Sequence, residues 1–234
     1  AIVEAKPDYM GLVFAPSKRQ VTVAQAKTLV DELHKQYEKT YGEATVSMNT
    51  DTAQDSQDSQ DSQVSQDSQE FVPGNSNFEK IKTVGVFVNE TVENLLKIAA
   101  EVNLDVIQLH GDEDETFIQS LKECTNVEVW KAVQVRSAAD AEKWIDSSAD
   151  MLLFDAYHKD ERGGTGEVFD WSSLDEFERP FMLAGGMDST NVARAIRTVR
   201  PYGIDISSGI ETEGVKDDEK IKAFTNIVRT IALS

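Results

Sequence analysis

The feature that most constrains this chain is a recurring unit: a short apolar run, a small residue or carboxylate at its end, then a helix-forming stretch. Met151-Leu-Leu-Phe ends in Asp155, with Gly163-Gly-Thr-Gly166 following. Phe181-Met-Leu-Ala ends in Gly185-Gly186, and Gly203-Ile-Asp-Ile ends in Ser207-Ser-Gly209. Further runs of the same kind cover Tyr9–Phe14, Thr83–Val88, Val106–Leu109 and Val127–Val133. Helical patterns lie between and after them, over Val23–Tyr41, Val92–Val102, Glu113–Cys124, Ala138–Ser147, Asn191–Arg200 and Asp217–Ala232. Strand–helix alternation without tight hairpin signals predicts a parallel sheet. Continuous apolar runs predict strands covered on both faces. The count is one strand short of a (β/α)8 barrel, in which chemistry sits at the C-terminal strand ends. A doubly wound sheet is the alternative, but it concentrates its glycines after the first strand. Here the special residues decorate several strand ends.

Residues 42–78 break the pattern, with Asp55-Ser-Gln, Asp58-Ser-Gln, Asp61-Ser-Gln, Val64-Ser-Gln and Asp67-Ser-Gln in direct succession and no Lys or Arg. So little apolar surface does not offset the entropy of ordering, and the stretch reads as a disordered low-complexity insertion within one domain spanning 1–234. A polar interaction tract is the other reading. The whole chain has a net charge of -19, which argues against nucleic acid or an anionic membrane surface as partner. It leaves room for a phosphorylated small ligand held by backbone N–H groups. No apolar run approaches the roughly 18 residues of a spanning helix. Cys124 is the single cysteine, so no intrachain disulfide forms, and a cytoplasmic location fits. His34, His110 and His158 show no metal-site spacing.

In this order, the segments Gly11-Leu-Val-Phe-Ala-Pro-Ser-Lys-Arg19, Val84-Gly-Val-Phe-Val-Asn89, Ile107-Gln-Leu-His-Gly111, Leu153-Phe-Asp-Ala156, Gly163-Gly-Thr-Gly-Glu-Val-Phe-Asp-Trp171, Leu183-Ala-Gly-Gly186 and Ile204-Asp-Ile-Ser-Ser-Gly-Ile-Glu211 resemble the phosphoribosylanthranilate isomerase family of tryptophan biosynthesis. Any one of them is weak alone. The resemblance runs from about residue 8 to the C-terminus, interrupted only by 42–78. It implies a TIM barrel and an Amadori rearrangement of N-(5-phosphoribosyl)anthranilate to a 1-deoxyribulose 5-phosphate derivative. That is general acid/base chemistry, and it implies no metal and no organic cofactor.

Residue by residue, the resemblance makes Asp155 the general acid, where a helix cap or loop-ordering Asp is the plainer reading. Gly185, Gly186, Ser207, Ser208 and Gly209 match the family's two phosphate loops, and tight turns are the alternative. Arg19 matches a position facing the anthranilate carboxylate, and an ordinary solvated Arg is the alternative. Asp205 is expected to bind or orient substrate, or to serve structure. His110 contacts ligand from a barrel mouth or supports the site from behind. Trp130 and Trp171 read as packing, and Gly163–Gly166 as shaping the loop after Asp155.

The family's general base is a Cys in a Lys-(Ile/Val)-Cys-Gly segment after the first strand. No such segment occurs here. The start, Ala1-Ile-Val-Glu-Ala-Lys-Pro-Asp8, looks like the end of a helix leading into the family's second strand. Cys124 closes a helix on the face away from the chemistry and is no substitute. The expectation is therefore a barrel with seven of its eight strands encoded, keeping the acid and lacking the base. A complementing N-terminal segment is one possible partner. A catalytically inactive barrel that still binds phosphate is the alternative. Indole-3-glycerol phosphate synthase resembles the chain at the phosphate loops only, and its Lys and Glu set has no match here.

Overall fold

A computed structural model describes residues 2–48, 80–155 and 171–232. Helix α1 (Ile2–Ala5) leads into β1 (Tyr9–Val13). There follow α2 (Val23–Met48), β2 (Lys82–Phe87), α3 (Val92–Val102), β3 (Val106–Leu109), α4 (Glu115–Cys124), β4 (Glu128–Gln134), α5 (Ala138–Glu142), β5 (Met151–Asp155), β6 (Phe181–Ala184), α6 (Val192–Val199), β7 (Gly203–Ile204) and α7 (Asp218–Ala232). A hairpin of Glu211–Thr212 against Val215–Lys216 sits between β7 and α7.

All seven strands are parallel and lie in sequence order, β1 through β7. A doubly wound sheet would reverse direction at an internal strand, so the order selects the barrel. β1 and β7 are the two edges of this sheet. The sheet is curled, because α1 and α7 meet: Lys222 Nζ lies 3.1 Å from Glu4, and Arg229 donates to the Lys6 carbonyl.

Strand residues alternate between two cores, as a pleat requires. Val84, Val106, Trp130, Ala132, Leu153, Met182 and Ala184 fill the concave interior, with Tyr9 edge-on to Trp130. Leu12, Phe87, Ile107, Leu109, Val133, Phe154 and Leu183 pack outward under the helices. This parity matters for function. Gln108 and Asp155 share the inward phase of Val106 and Leu153, so the last inward position of a strand delivers a polar group to the mouth.

The strands follow the apolar runs closely, and the helices mostly do. α2 continues to Met48, so its backbone covers the first residues of the segment read as an insertion from 42. Helix α5 is shorter than its pattern and passes into turns after Glu142. Helix α3 shows why the pattern was readable: Thr91 caps its first turn by accepting from the Asn94 N–H, and Leu95, Ile98, Ala99 and Val102 bury one face. Trp130 and Trp171 are both buried, as packing residues should be. Gly163–Gly166 and the whole Asp-Ser-Gln tract lie outside the described residues.

Candidate active site

Three strand ends bring His110, Asp155 and Asp205 together at the C-terminal mouth. His110 follows β3, where its N–H donates to the Phe87 carbonyl at 2.8 Å. Its Nε2 lies 3.7 Å from Asp155 Oδ2, and its Nδ1 lies 3.2 Å from the Gln108 amide nitrogen. Nε2 is thus the ring nitrogen that faces Asp155, and Nδ1 the one that faces the Gln108 amide. Asp155 closes β5 in register with Gln134 and Ala184.

Asp205 follows β7, its N–H donating to the Leu183 carbonyl at 2.8 Å. Burial pushes its carboxyl above the usual range, and the nearby Asp155 charge adds to that, while His110 and Lys216 pull it down. The residue is exposed to solvent, however, which limits the rise. The mouth thus holds two carboxyl groups and an imidazole, the components of acid/base chemistry at two points of one substrate.

The two loops expected to bind phosphate also meet. Gly185 and Gly186 adopt φ of 95° and 60°, a conformation that side-chain-bearing residues rarely tolerate. Gly209 abuts the same loop so closely that a Cβ there would lie 2.0 Å from the Met187 carbonyl oxygen. Ser207 precedes a single 3-10 turn, Ser208–Ile210. In the turn leading into α6, Asp188 accepts from the Thr190 and Asn191 N–H groups at 2.8 and 3.2 Å. Its carboxylate lies near the partial positive charge at the start of that helix.

Arg19 is not a free guanidinium. Its Nε and Nη2 donate to the two oxygens of Glu211 at 2.8 and 3.1 Å. Lys216 joins the same carboxylate at 3.1 Å and donates to the Ser207 carbonyl at 2.7 Å. Between these two cations the Glu211 carboxyl is held down at about 2. Glu211 and Lys216 lie in or beside the matched segments, but residue type alone gave them no role. Their signal was the run of charged residues directly after a phosphate-type loop. Cys124 is exposed at the end of α4, on the opposite face from His110. Among the described residues, no cluster of His, Cys, Asp and Glu is arranged to hold a metal ion, and no helix is long and apolar enough to cross a membrane.

The family model described as N-(5'-phosphoribosyl)anthranilate (PRA) isomerase matches residues 34–227. The isomerase of that name from Thermoanaerobacter sp. strain X514 is 42% identical over 230 residues, spanning 97% of this chain and 90% of that protein. The crystal structure of phosphoribosyl anthranilate isomerase from Thermotoga maritima superposes with a TM-score of 0.69 at 30% identity, covering 97% of this chain and 91% of the other. A further isomerase structure, solved with reduced 1-(o-carboxyphenylamino)-1-deoxyribulose 5-phosphate, gives a TM-score of 0.67 at 28% identity over 97% and 90% of the two chains.

Proposed function

This chain belongs to the N-(5'-phosphoribosyl)anthranilate isomerase family, and we propose that the mouth formed by His110, Asp155 and Asp205 is where the family's reaction takes place. The protein is an isomerase of tryptophan biosynthesis with a phosphorylated small-molecule substrate. The observation that carries the site reading is convergence: an inward carboxylate at the end of β5 and the paired loops after β6 and β7 share one end of the barrel.

Asp155 acts as general acid, giving a proton to the furanose ring oxygen as the ring opens. A general base removes the proton from the adjacent sugar carbon, and the resulting enol-amine becomes the ketone. Asp205 orients the sugar, and His110 holds Asp155 in place while facing the ligand. Gly185, Gly186, Ser207, Ser208 and Gly209 cradle the phosphate through backbone N–H groups. Arg19 meets the anthranilate carboxylate by sharing its guanidinium with Glu211. The resemblance assigns the base to a Cys in a Lys-(Ile/Val)-Cys-Gly segment, which residues 1–234 do not contain. A complementing segment of that pattern would enter beside β1 and β7, the sheet edges. Residues 1–234 form one domain in this reading, with 42–78 as its insertion, and the cytoplasm is its location.

Turnover is followed as the loss of phosphoribosylanthranilate fluorescence, with the chain alone and with the chain joined to a Lys-(Ile/Val)-Cys-Gly strand. Activity in the joined protein that disappears in Asp155→Asn supports the assignment. Full activity in Asp155→Asn would remove Asp155 as the acid.

A further inference from the structure

Directly behind the mouth lies an ion pair with almost no contact with water. Lys131 Nζ and Glu113 Oε2 are 2.9 Å apart, with side-chain exposures of 3% and 2%. Lys131 has the outward phase of β4 and lies against the Trp144 ring, so it belongs to the layer between sheet and helices. Glu113 is in the loop after β3 that begins with His110. Burying two charges there carries a desolvation cost that a well-packed apolar pair would avoid. Simple stability is therefore a poor reason for the arrangement.

What the pair does hold is the peptide unit next to His110. Lys131 donates to the Gly111 carbonyl at 2.6 Å, while Glu113 accepts from the Gly111 N–H at 2.9 Å. The other Glu113 oxygen accepts from the Asn89 N–H at 2.7 Å, joining the loop after β2. Asn89 closes the third side. Its backbone is left-handed at φ 52°, its Oδ1 accepts from the Asp112 N–H at 2.7 Å, and a Cβ on Gly111 would lie 2.4 Å from that oxygen. Glu113 stays ionised in this position: burial pushes its carboxyl up, but Lys131 and the Asn89 N–H outweigh that and leave it below the usual range.

We propose that the Lys131–Glu113 pair is a positioning device that fixes the backbone at Gly111 and so sets the His110 imidazole against Asp155. The inference rests on the proposed role of His110 and Asp155 in the site. The two residues touch no reacting atom. They act through Gly111, the residue that follows His110. Misplacement of a site group by about 1 Å can cost about 100-fold in rate, so a restraint of this kind is proportionate to its desolvation cost.

The test uses the full chain and two variants, Glu113→Gln and the double variant Glu113→Gln/Lys131→Met. The double variant removes both charges and leaves neither buried alone. Histidine 15N spectra are recorded without ligand, with His110→Asn identifying the His110 signals among the three histidines. Binding of reduced 1-(o-carboxyphenylamino)-1-deoxyribulose 5-phosphate is measured by calorimetry on the same samples.

The expected result is a folded double variant whose His110 ring signals shift or broaden and whose affinity for the analogue falls roughly 10-fold or more. Unchanged His110 signals and affinity in a folded variant would overturn the proposal. If neither variant folds, the wild type decides. A slowly exchanging Gly111 amide with a single His110 rotamer sustains the device, and fast exchange or rotamer averaging rejects it. Wild type that fails to bind the analogue would remove the site reading alone, because the ring signals report the restraint without ligand.

Discussion

Arg19 and Glu211, 192 positions apart, form a two-bonded ion pair that joins the loop after β1 to the hairpin after β7. The pair links the two ends of the curled sheet at its mouth, as α1 and α7 link them on the outside. Lys216 shares the carboxylate, so Glu211 carries two cations.

The Glu211 carboxyl at about 2 lies below its ordinary 4.5. A depressed carboxylate stabilises the fold above the unfolded value and loses that contribution as pH falls toward the folded one. The stabilisation should thus be complete above roughly pH 5 and fade from there to about pH 2. Arg19 is partly exposed, so its size at neutral pH is ~1 kcal/mol or less. Urea midpoints at a series of pH values should show Glu211→Gln with a shallower acid decline than wild type. Parallel declines would mean that the pair does not form in solution.

Asp155→Asn should separate chemistry from binding. The amide keeps the size of the carboxyl and its position at the end of β5, but has no acidic proton to give. Turnover in the joined protein should fall by about 100-fold to 10,000-fold, the usual contribution of a positioned acid. Calorimetric affinity for the product analogue should stay within a few-fold. Loss of affinity comparable to the loss of turnover would make Asp155 a binding residue instead.

Asp205→Asn should trade function for stability. Its carboxyl is raised by burial, so ionisation near neutral pH costs the folded state more than the unfolded one. The stability tied to the neutral form is fully present below the unfolded value and declines as pH rises through the folded one. The amide removes that decline, and the Tm at pH 7 should rise only slightly, because the residue is exposed and solvent screens its carboxylate. Substrate affinity should fall by about 10-fold to 100-fold, as for a lost charge-assisted hydrogen bond. A lowered Tm would show that Asp205 is held as a stabilising carboxylate.

The barrel was legible because its sequence signal is periodic. Val106–Leu109 and Phe181–Ala184 are unbroken apolar runs, and both became strands with the expected bounds. The place of Asp155 at the end of a strand was legible for the same reason, while its role came from the resemblance alone. The ion pairs were not. Arg19 with Glu211 and Glu113 with Lys131 join residues on different strand ends, and one-dimensional spacing says nothing of which charges meet in space. Helix α2 runs past its sequence pattern for a local reason. Gly42, Ser47 and the Asp-Ser-Gln repeats signal a break, yet Ala44 and Met48 are adequate helix residues and the backbone continues through them.

Gly209→Ala offers the sharpest check on the phosphate corner. The added methyl would come 2.0 Å from the Met187 carbonyl oxygen and 3.0 Å from its carbon, both backbone atoms with no side-chain freedom to give way. Either the turn Ser208–Ile210 or the loop Gly185–Asp188 must move, and each contributes half of the proposed cradle. Affinity for inorganic phosphate, followed by 31P NMR titration, should drop at least 10-fold, a loss of about 1.4 kcal/mol. Gly11→Ala is the matched control for folding, because no atom lies within 4 Å of its added Cβ and its φ is ordinary. Its urea midpoint should stay near wild type while that of Gly209→Ala falls. Equal phosphate affinity in Gly209→Ala and wild type would place the anion somewhere other than between these two loops.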